Sequence, residues 1–434
     1  MTLRREAPLG QGLSMWLPAR LRPALHAVAV ALAFAGCGQA TAETPETPTI
    51  ATVAYAVDMV ADLKRASISF SLTRMVDAKA FVLERPDRVI VDLPEVNFQL
   101  PPQSGRTGAG LISSYRYGLF AQGRSRIVID LKEPALVARV TSAPAAGGEA
   151  SKLVIELART DRAAYHQAAL KPILPPADNL GVISRVVQGV AAAAAADDRA
   201  TIVIDPGHGG VDLGAVTGSG LIEKNLVFTF AQRLKERLES TGKYRVLMTR
   251  TDDSFISLPD RVRLAREAKA ALFVSIHADI LSVSPEVRGA TVYTGSEFAT
   301  DAEAARLADK ENRSDAVAGV DSRDDPEEVA GILMDLTKRE TRAFTSQFAK
   351  SLVGDLGNVV KLNKNPHRSA GFRVLKAPDV PSVLVELGYL SSAKDAGLLA
   401  SDSWRDRTSD AMANAIERYL AARASTPARA AVSP

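Results

Sequence analysis

Two histidines in this chain follow buried strands closely enough to act together. His208 lies in the loop 205–210, after the β-branched run 201–204 and a proline that ends it. His277 directly follows a second apolar run, 271–276. Ligands bind beyond the carboxyl ends of strands in open α/β sheets. We therefore predict that both imidazoles reach the same edge of one sheet.

Glu223 is a third candidate ligand. It begins a predicted helix, where the helix dipole favours a carboxylate. Two histidines and one glutamate make a catalytic zinc set, in which a fourth position stays open for water. The sequence therefore predicts one Zn²⁺ held by His208, Glu223 and His277. The alternative is that Glu223 only forms an ion pair with Lys224 at the helix start.

Glu386 is the candidate general base. It lies inside the apolar run 382–388, where a charged residue is rare unless it is paired or functional. We predict that Glu386 takes a proton from water and later gives it to the leaving group; the alternative is a structural carboxylate paired with an arginine. In the predicted loop 365–368, His367 and Arg368 are candidates for contact with substrate, and His367 also for contact with metal, or else they lie at the surface.

The elements that must position these residues alternate between strand and helix from residue 200 to 424. Val227, Ala231, Leu234 and Leu238, for example, form one apolar helical stripe. The apolar runs and stop signals predict strands at 244–249, 271–276, 290–293, 372–375 and 383–390, helices at 223–241, 260–269 and 410–421, and a mostly helical stretch at 301–355. This alternation predicts an α/β domain with a mostly parallel, twisted sheet and helices on both faces.

A different pattern fills residues 49–160. Short runs with strand period, separated by proline and glycine turn signals, occur at 66–72, 88–93, 126–131 and 152–157. Several short strands at this spacing predict an all-β sandwich that precedes the α/β domain. Because the stretch lacks histidine and cysteine, we expect it to serve in binding or scaffolding and to hold no metal.

The first residues indicate export. Residues 1–42 are a predicted signal peptide, in which Arg20 and Arg22 precede the apolar run 24–36 and an A-x-A cleavage site ends at Ala42. We therefore expect no transmembrane segment in the mature chain.

Cys37 is the only cysteine, so no disulfide forms within the chain. Its context resembles a bacterial lipoprotein box, but cleavage after Ala42 would discard it. A start at Met15, and twin-arginine export through Arg4 and Arg5, are left open.

Length and charge set further bounds. The 434 residues suffice for two or three domains, and the net charge of +3 does not indicate a nucleic-acid partner. The stretch 161–199 contains several prolines and predicts a semi-rigid linker, with a mildly amphipathic segment at 181–190 that is a candidate for docking. Residues 425–434 form a predicted tail.

Separated motifs in the α/β part resemble one family. The motifs VIDPGHGG, LIEKN, LMTRTDD, FVSIHAD, GATVY and FRVLKAPDVPSVLVELGYLS follow in this order over residues 200–424. Together they closely resemble the zinc-dependent N-acetylmuramoyl-L-alanine amidases. The resemblance implies hydrolysis of the amide bond between N-acetylmuramic acid and L-alanine in peptidoglycan. The zinc ligands of the family fall on His208, Glu223 and His277, and its catalytic glutamate falls on Glu386. One departure is Asp279, where many members have asparagine.

The sandwich part resembles another known domain. Its strands DRVIVDLP and SRIVIDLK resemble those of the AMIN domain of bacterial envelope proteins, which implies a cell-wall targeting module. Aromatic faces and guanidinium groups suit sugars, so Tyr115, Arg116, Tyr117 and Arg124 are candidates to line a glycan surface. The alternative is a solvated edge of the sandwich.

The charged stretch 297–341 is helical in pattern. The resemblance to cell-division amidases implies an autoinhibitory helix that covers the zinc until a periplasmic activator binds. Glu303 and Glu311 are both candidates for the covering ligand, and the sequence does not choose between them. Leu333, Met334 and Leu336 are candidates for the activator's contact. The alternative is a solvated helical excursion.

The sequence thus predicts an exported, monomeric, periplasmic amidase that is recruited to the septum and remodels the cell wall for daughter-cell separation. Two other functions stay open. A zinc peptidase that cuts within the stem peptide would use the same residue types, and a wall-binding adaptor would use none of them for catalysis.

Overall fold

The computed structural model describes residues 51–101, 103–145, 150–170, 197–281, 286–320 and 332–425, except the side chains of 332–336. The predicted signal peptide with Cys37, the docking segment 181–190 and the tail from residue 426 lie outside the described residues. Among the described residues, no helix combines the length and the apolar character needed to cross a membrane.

The first part of the chain is an all-β sandwich, as predicted. Its strands are β1 Thr52–Ala61, β2 Arg65–Leu72, β3 Lys79–Leu83, β4 Arg88–Pro94, β5 Val96–Phe98, β6 Ile112–Ala121, β7 Arg124–Leu131, β8 Ala135–Pro144 and β9 Ser151–Arg159. They form a five-stranded sheet in the order β5-β1-β2-β9-β8 and a four-stranded sheet in the order β3-β4-β7-β6. Alternate side chains of each strand, such as Ile68 and Phe70 of β2, fill the core between the sheets.

The tyrosines of β6 do not form the predicted glycan surface. Tyr115 is buried and its ring packs edge-on against Phe70, with centroids 6.1 Å apart. Tyr117 packs against Phe98 in the same core, with centroids 4.7 Å apart. Successive strand residues point to opposite faces, and Arg116 instead donates to the carbonyl of Val317, in the second part of the chain. The prediction was wrong because it grouped neighbours that a strand separates.

A helix occupies the start of the predicted linker. Helix α1, Arg162–Ala169, begins at Asp161, whose side chain accepts a hydrogen bond from the backbone N–H of Ala164. Tyr165 is fully buried, and its hydroxyl accepts from the backbone N–H of Arg88 at 2.9 Å. The helix therefore belongs to the sandwich, and a linker can begin only after it.

The second part is built on a six-stranded sheet. Its strands are β10 Ala200–Pro206, β11 Tyr244–Met248, β12 Leu272–His277, β13 Ala290–Gly295, β14 Leu362–Ala370 and β15 Ser382–Glu386. Their order is β11-β10-β12-β15-β13-β14. All neighbours are parallel except β13 and β15, which are antiparallel. The predicted mostly parallel sheet is thus confirmed.

Helices cover both faces of this sheet, also as predicted. They are α2 Glu223–Glu239, α3 Leu258–Glu267, α4 Ala302–Glu311, α5 Ser314–Val317, α6 Ile332–Gly357, α7 Ala393–Leu399 and α8 Asp402–Ser425. One core cluster packs α2, α6 and α8 on the sheet through residues such as Phe230, Phe348 and Ile416. The other packs α3 and α4 on the opposite face through Leu264 and Leu307.

The edge of the sheet differs from the prediction. Residues 372–375 were predicted as a strand, but Arg373–Leu375 form a single 3-10 turn. The edge strand is β14, and the predicted loop 365–368, with His367 and Arg368, lies within it. Pro366 explains that error, because proline within a run is typical of a loop, yet an edge strand tolerates it.

Candidate active site

The ends of neighbouring parallel strands bring the predicted site residues together. β10 ends at Pro206, just before His208, and His277 and Glu386 are the last residues of β12 and β15. His277 and Glu386 also lie opposite each other in the register of those strands. Glu223 is the first residue of α2. The structure therefore places all four side chains at one edge of the sheet.

The loop that carries His208 is held in an unusual backbone conformation. The φ angle of His208 is 58°, in the left-handed region that residues other than glycine seldom adopt. The buried guanidinium of Arg261 donates to the His208 carbonyl at 2.8 Å and to Asp205 Oδ1 at 2.6 Å. Gly207 is required beside it, because a Cβ there would lie 2.4 Å from Cε1 of His277. The two imidazole centroids thus come within 4.9 Å.

One nitrogen from each imidazole and one oxygen from each of two glutamates lie close together. His208 Nε2 lies 3.2 Å from Glu223 Oε1 and 3.6 Å from Glu311 Oε2. His277 Nδ1 lies 3.4 Å from the same oxygen of Glu223 and 3.3 Å from the same oxygen of Glu311. Both nitrogens are buried, and neither has a hydrogen-bond partner within the described part of the chain. Unpaired buried nitrogens that face carboxylate oxygens are the arrangement expected of a metal site.

The carboxylate of Glu223 is fixed by the backbone. Its Oε2 accepts a hydrogen bond from the N–H of Ala215 at 2.7 Å, and its Oε1 accepts from the N–H of Ala278 at 2.8 Å. Burial opposes ionisation, but the two histidines hold the pKa of Glu223 well below its usual range. The alternative ion pair with Lys224 does not form, because the Lys224 ammonium donates to Asp253 at 2.6 Å.

Asp212 orients His208 and was not predicted. Its Oδ2 lies 2.9 Å from His208 Nδ1 and accepts a hydrogen bond from Ser314 Oγ at 2.6 Å. Although burial opposes ionisation, His208 lowers the pKa of Asp212 well below its usual range. A carboxylate on one ring nitrogen leaves the other available for a metal and fixes the tautomer. The signal in the sequence was a carboxylate at position i+4 from His208 in the same loop.

Glu386 lies beside this cluster with one unpaired oxygen. Its side chain is fully buried, and Oε2 accepts a hydrogen bond from the backbone N–H of Asp279 at 2.9 Å. Oε1 has no hydrogen-bond partner among the residues that the structure describes. Burial, together with the nearby carboxylates of Asp279 and Glu223, raises the pKa of Glu386 well above its usual range. These features suit a carboxyl that exchanges a proton with a ligand.

Asp279 adds a further buried carboxylate at this edge. Burial, with the carboxylates of Glu311 and Glu223, raises the pKa of Asp279 to about 6, although Lys310 partly opposes this. Lys310 Nζ contacts Asp279 Oδ1. Lys310 and Glu311 are adjacent at the end of α4, so one helix end supplies a carboxylate to the histidines and an ammonium to Asp279.

The structure separates the two glutamates that the sequence offered as a covering ligand. Glu311 lies at the histidines, whereas Glu303 Oε2 lies 3.3 Å from Nη1 of Arg368. Arg368 is buried and also faces Asp301, at 3.5 Å, so it holds the start of α4. His367 pairs with Val292 along β14, away from the converging ligand atoms. Glu303, His367 and Arg368 are therefore not brought into the cluster.

Family models match both folded parts of the chain. The family described as N-acetylmuramoyl-L-alanine amidase matches residues 202–418, and the AMIN domain matches residues 56–158.

The chain is also similar to known amidases over most of its length. N-acetylmuramoyl-L-alanine amidase AmiC of Neisseria meningitidis is 33% identical over 370 residues, which is 81% of this chain and 86% of the relative. AmiC of Escherichia coli is 33% identical over 371 residues, which is 82% of this chain and 86% of the relative. The solved catalytic domain of the amidase CwlV from Bacillus (Paenibacillus) polymyxa var. colistinus is 25% identical, with a TM-score of 0.37, and the match covers 51% of this chain and 98% of that one. On the matches to the amidase family model and to the two AmiC proteins, the chain belongs to the N-acetylmuramoyl-L-alanine amidase family, with an AMIN domain ahead of its catalytic domain.

Proposed function

We propose that this chain is a zinc-dependent peptidoglycan amidase of the periplasm that its own helix keeps closed until an activator binds. It hydrolyses the amide bond between N-acetylmuramic acid and the L-alanine of the stem peptide, for cell-wall remodelling and daughter-cell separation. One observation carries the proposal: the unpaired nitrogens of His208 and His277 face Glu223, close to the buried Glu386. The AmiC relatives support the reaction, and the AMIN domain supports the location.

The donor set fits zinc. His208 and His277 offer two neutral nitrogen ligands and Glu223 offers a carboxylate oxygen, which is a ligand combination of catalytic zinc sites. Asp212 and the backbone N–H groups on Glu223 orient these ligands, as the surroundings of metal ligands do. Bound there, zinc would polarise the scissile carbonyl and lower the pKa of water.

Glu386 moves the proton. Its unpaired Oε1 accepts a proton from water as the water oxygen bonds to the amide carbon. The resulting carboxyl donates that proton to the nitrogen of L-alanine as the carbon–nitrogen bond breaks. The products are a lactyl carboxylate on the glycan and a free amine on the peptide. The N–H of Asp279 holds the second oxygen of Glu386 in place throughout.

The end of α4 closes the site. Glu311 faces both imidazoles, and the side chains of His208 and His277 are at most 6% exposed. A carboxylate in that position excludes water and substrate from the ligand cluster. The activator's task is therefore to displace α4. The side chains of Leu333, Met334 and Leu336, offered by the sequence as its contact, lie outside the described side chains.

Removal of zinc tests the proposed metal site. We expect the purified chain to bind one zinc per molecule, to lose it to a chelator together with peptidoglycan hydrolysis, and to recover both on addition of one equivalent. Zinc should also raise the midpoint of thermal unfolding, because it binds the folded state only. Metal content is measured by elemental analysis.

Histidine variants sharpen this test. His208→Ala should lose stoichiometric zinc, whereas His367→Ala, which changes a histidine on the edge strand, should keep it. Equal zinc content in the two variants would contradict the assignment.

A further inference from the structure

The four-stranded sheet of the β-sandwich binds the segment 314–319, which follows α4. Arg116 on β6 donates from Nε to the carbonyl of Val317 at 2.7 Å. Arg126 on β7 donates from Nη1 to the carbonyls of Ala318 and Gly319, each at 3.1 Å. The last carbonyls of a helix lack partners within it. Two guanidinium groups from the other domain thus bind the chain where α5 ends.

Both arginines are held ready by neighbouring groups of the sandwich. Asp92 accepts from Arg126 Nε at 2.5 Å and from Nη2 at 2.8 Å, which fixes the plane of the guanidinium. The Cζ atom of Arg126 also lies 3.5 Å from the centroid of the Phe120 ring. Asp130 accepts from both Nη1 and Nη2 of Arg116, which leaves Nε to face the segment. The donors that face the segment are therefore oriented by the sandwich itself.

Apolar contacts from both domains also hold the segment 314–319. Ala318 is fully buried in a small cluster with residues from both domains, namely Leu83, Ile90, Val128, Val211 and Phe255. Phe120 of the sandwich stacks on Phe255 of the catalytic domain, with centroids 5.9 Å apart. Gly118 lies so close to Gly210 that a Cβ on it would be 2.6 Å from the carbonyl carbon of Gly210. The segment is clamped between the two domains.

The clamped segment is continuous with the residue that faces the histidines. Glu311 ends α4, and Ser314 begins α5 after only two intervening residues. The hydroxyl of Ser314 donates to the carboxylate oxygen of Asp212 that also faces His208. The carboxylate of Asp315 accepts from the backbone N–H of Leu258 at 2.9 Å. A movement of Glu311 therefore strains a stretch whose far end is bound to the sandwich.

We propose that the β-sandwich is a second lock on the active site, in which Arg116 and Arg126 hold residues 314–319 and so stabilise the closed position of Glu311. This inference rests on the autoinhibition proposed above. It adds a regulatory task to the cell-wall targeting that an AMIN domain implies.

The test uses the full, zinc-loaded chain with Arg116→Ala and Arg126→Ala combined. We expect basal hydrolysis of purified peptidoglycan to rise at least about tenfold, because the two substitutions remove all three hydrogen bonds from the arginines to the segment, and the loss of one hydrogen bond to a charged group is already enough for about tenfold. Amide hydrogen exchange over 302–319 should become faster. The matched control is Arg139→Ala, an exposed arginine on β8 of the other sheet, which should change neither.

A second variant acts from the opposite side of the contact. Ala318→Lys places a positive charge in the small apolar cluster, next to the guanidinium of Arg126, and changes no residue of the sandwich, so it should activate the enzyme even if the arginine variant does not fold. Circular dichroism establishes folding. Folded variants with unchanged hydrolysis and unchanged exchange would overturn the lock.

Glu311→Ala, measured in parallel, separates the lock from autoinhibition. If Glu311→Ala activates the enzyme and the arginine and Ala318 variants do not, the lock fails and autoinhibition stands. If Glu311→Ala does not activate, autoinhibition fails and the lock with it. The lock further predicts that the arginine substitutions add little to Glu311→Ala, because the segment then holds no blocking residue; a tenfold addition would contradict it.

Discussion

Glu386→Gln should lower peptidoglycan hydrolysis by about 10²- to 10⁴-fold, the usual contribution of a positioned general acid–base. Glutamine has the size of glutamate, and its carbonyl oxygen can still accept the hydrogen bond from the N–H of Asp279. It cannot take a proton from water or return one to the leaving amine. Initial rates are compared in a Glu311→Ala background, where the site is expected to be open.

Zinc content decides how a loss of activity at Glu386 is interpreted. The variant should keep one zinc per chain, because the proposed ligands are His208, Glu223 and His277. Glu236→Gln, an exposed change on α2, is the matched control and should keep the parent rate. Full activity of Glu386→Gln would refute its role as the base, and simultaneous loss of zinc would make it a residue that supports the metal site.

Glu311→Ala should raise basal hydrolysis about ten- to hundredfold. The carboxylate lies 3.3 Å from His277 Nδ1 and 3.6 Å from His208 Nε2, so its removal opens the position that faces both rings. A gain of that size corresponds to about 1.4–2.8 kcal/mol of lost stabilisation of the closed state. Zinc should remain bound, because three proposed ligands are unchanged. Release of soluble products from labelled peptidoglycan, without any activator, gives the rate.

Glu303→Ala is the matched control for this gain. It removes a glutamate from the same helix, but one that pairs with Arg368 at the other end. We expect its basal rate to stay close to that of the parent. An equal rise in both variants would mean that loosening α4 is enough and that Glu311 has no special position. An unchanged rate in Glu311→Ala would contradict autoinhibition.

The residues that we propose as ligands and base could be brought together from the sequence because local pattern is enough to place them. A β-branched run that ends in a proline–glycine loop puts His208 beyond a strand, and a parallel sheet then brings His277 and Glu386 to the same edge. Glu386 stands out in the sequence because it is an isolated carboxylate within an apolar run. Burying a charged group costs free energy unless the group is paired or functional. These inferences need only the period and the ends of single elements.

The sequence does not predict which of two glutamates on α4 faces the histidines, because this depends on how the helix is rotated against the sheet. Glu303 and Glu311 are separated by roughly 80° around a helix of 3.6 residues per turn, so only one of them faces the histidines. The charged pattern of 302–311 fits a solvated helix equally well. Asp212 was missed for a related reason, since its role appears only when the loop folds back on His208.

The errors have similar causes. Tyr115 and Tyr117 look available in the sequence, but one face of β6 packs in the sandwich core and Arg116 on the other meets the catalytic domain. That contact joins residues 201 positions apart, so no local pattern reveals it. Phe372, Val374 and Leu375 are buried in one core cluster with α3, and a short, mostly apolar run does not distinguish a strand from a turn.

The most direct test of the central claim is to identify the products of peptidoglycan digestion by the zinc-loaded Glu311→Ala chain. Mass spectrometry of purified, digested peptidoglycan should show intact stem peptides that begin with a free L-alanine and glycan strands with free lactyl carboxylates. Shortened stem peptides that remain attached to the glycan would contradict the account in favour of a peptidase. No released product from a chain that holds one zinc would contradict it in favour of a wall-binding adaptor.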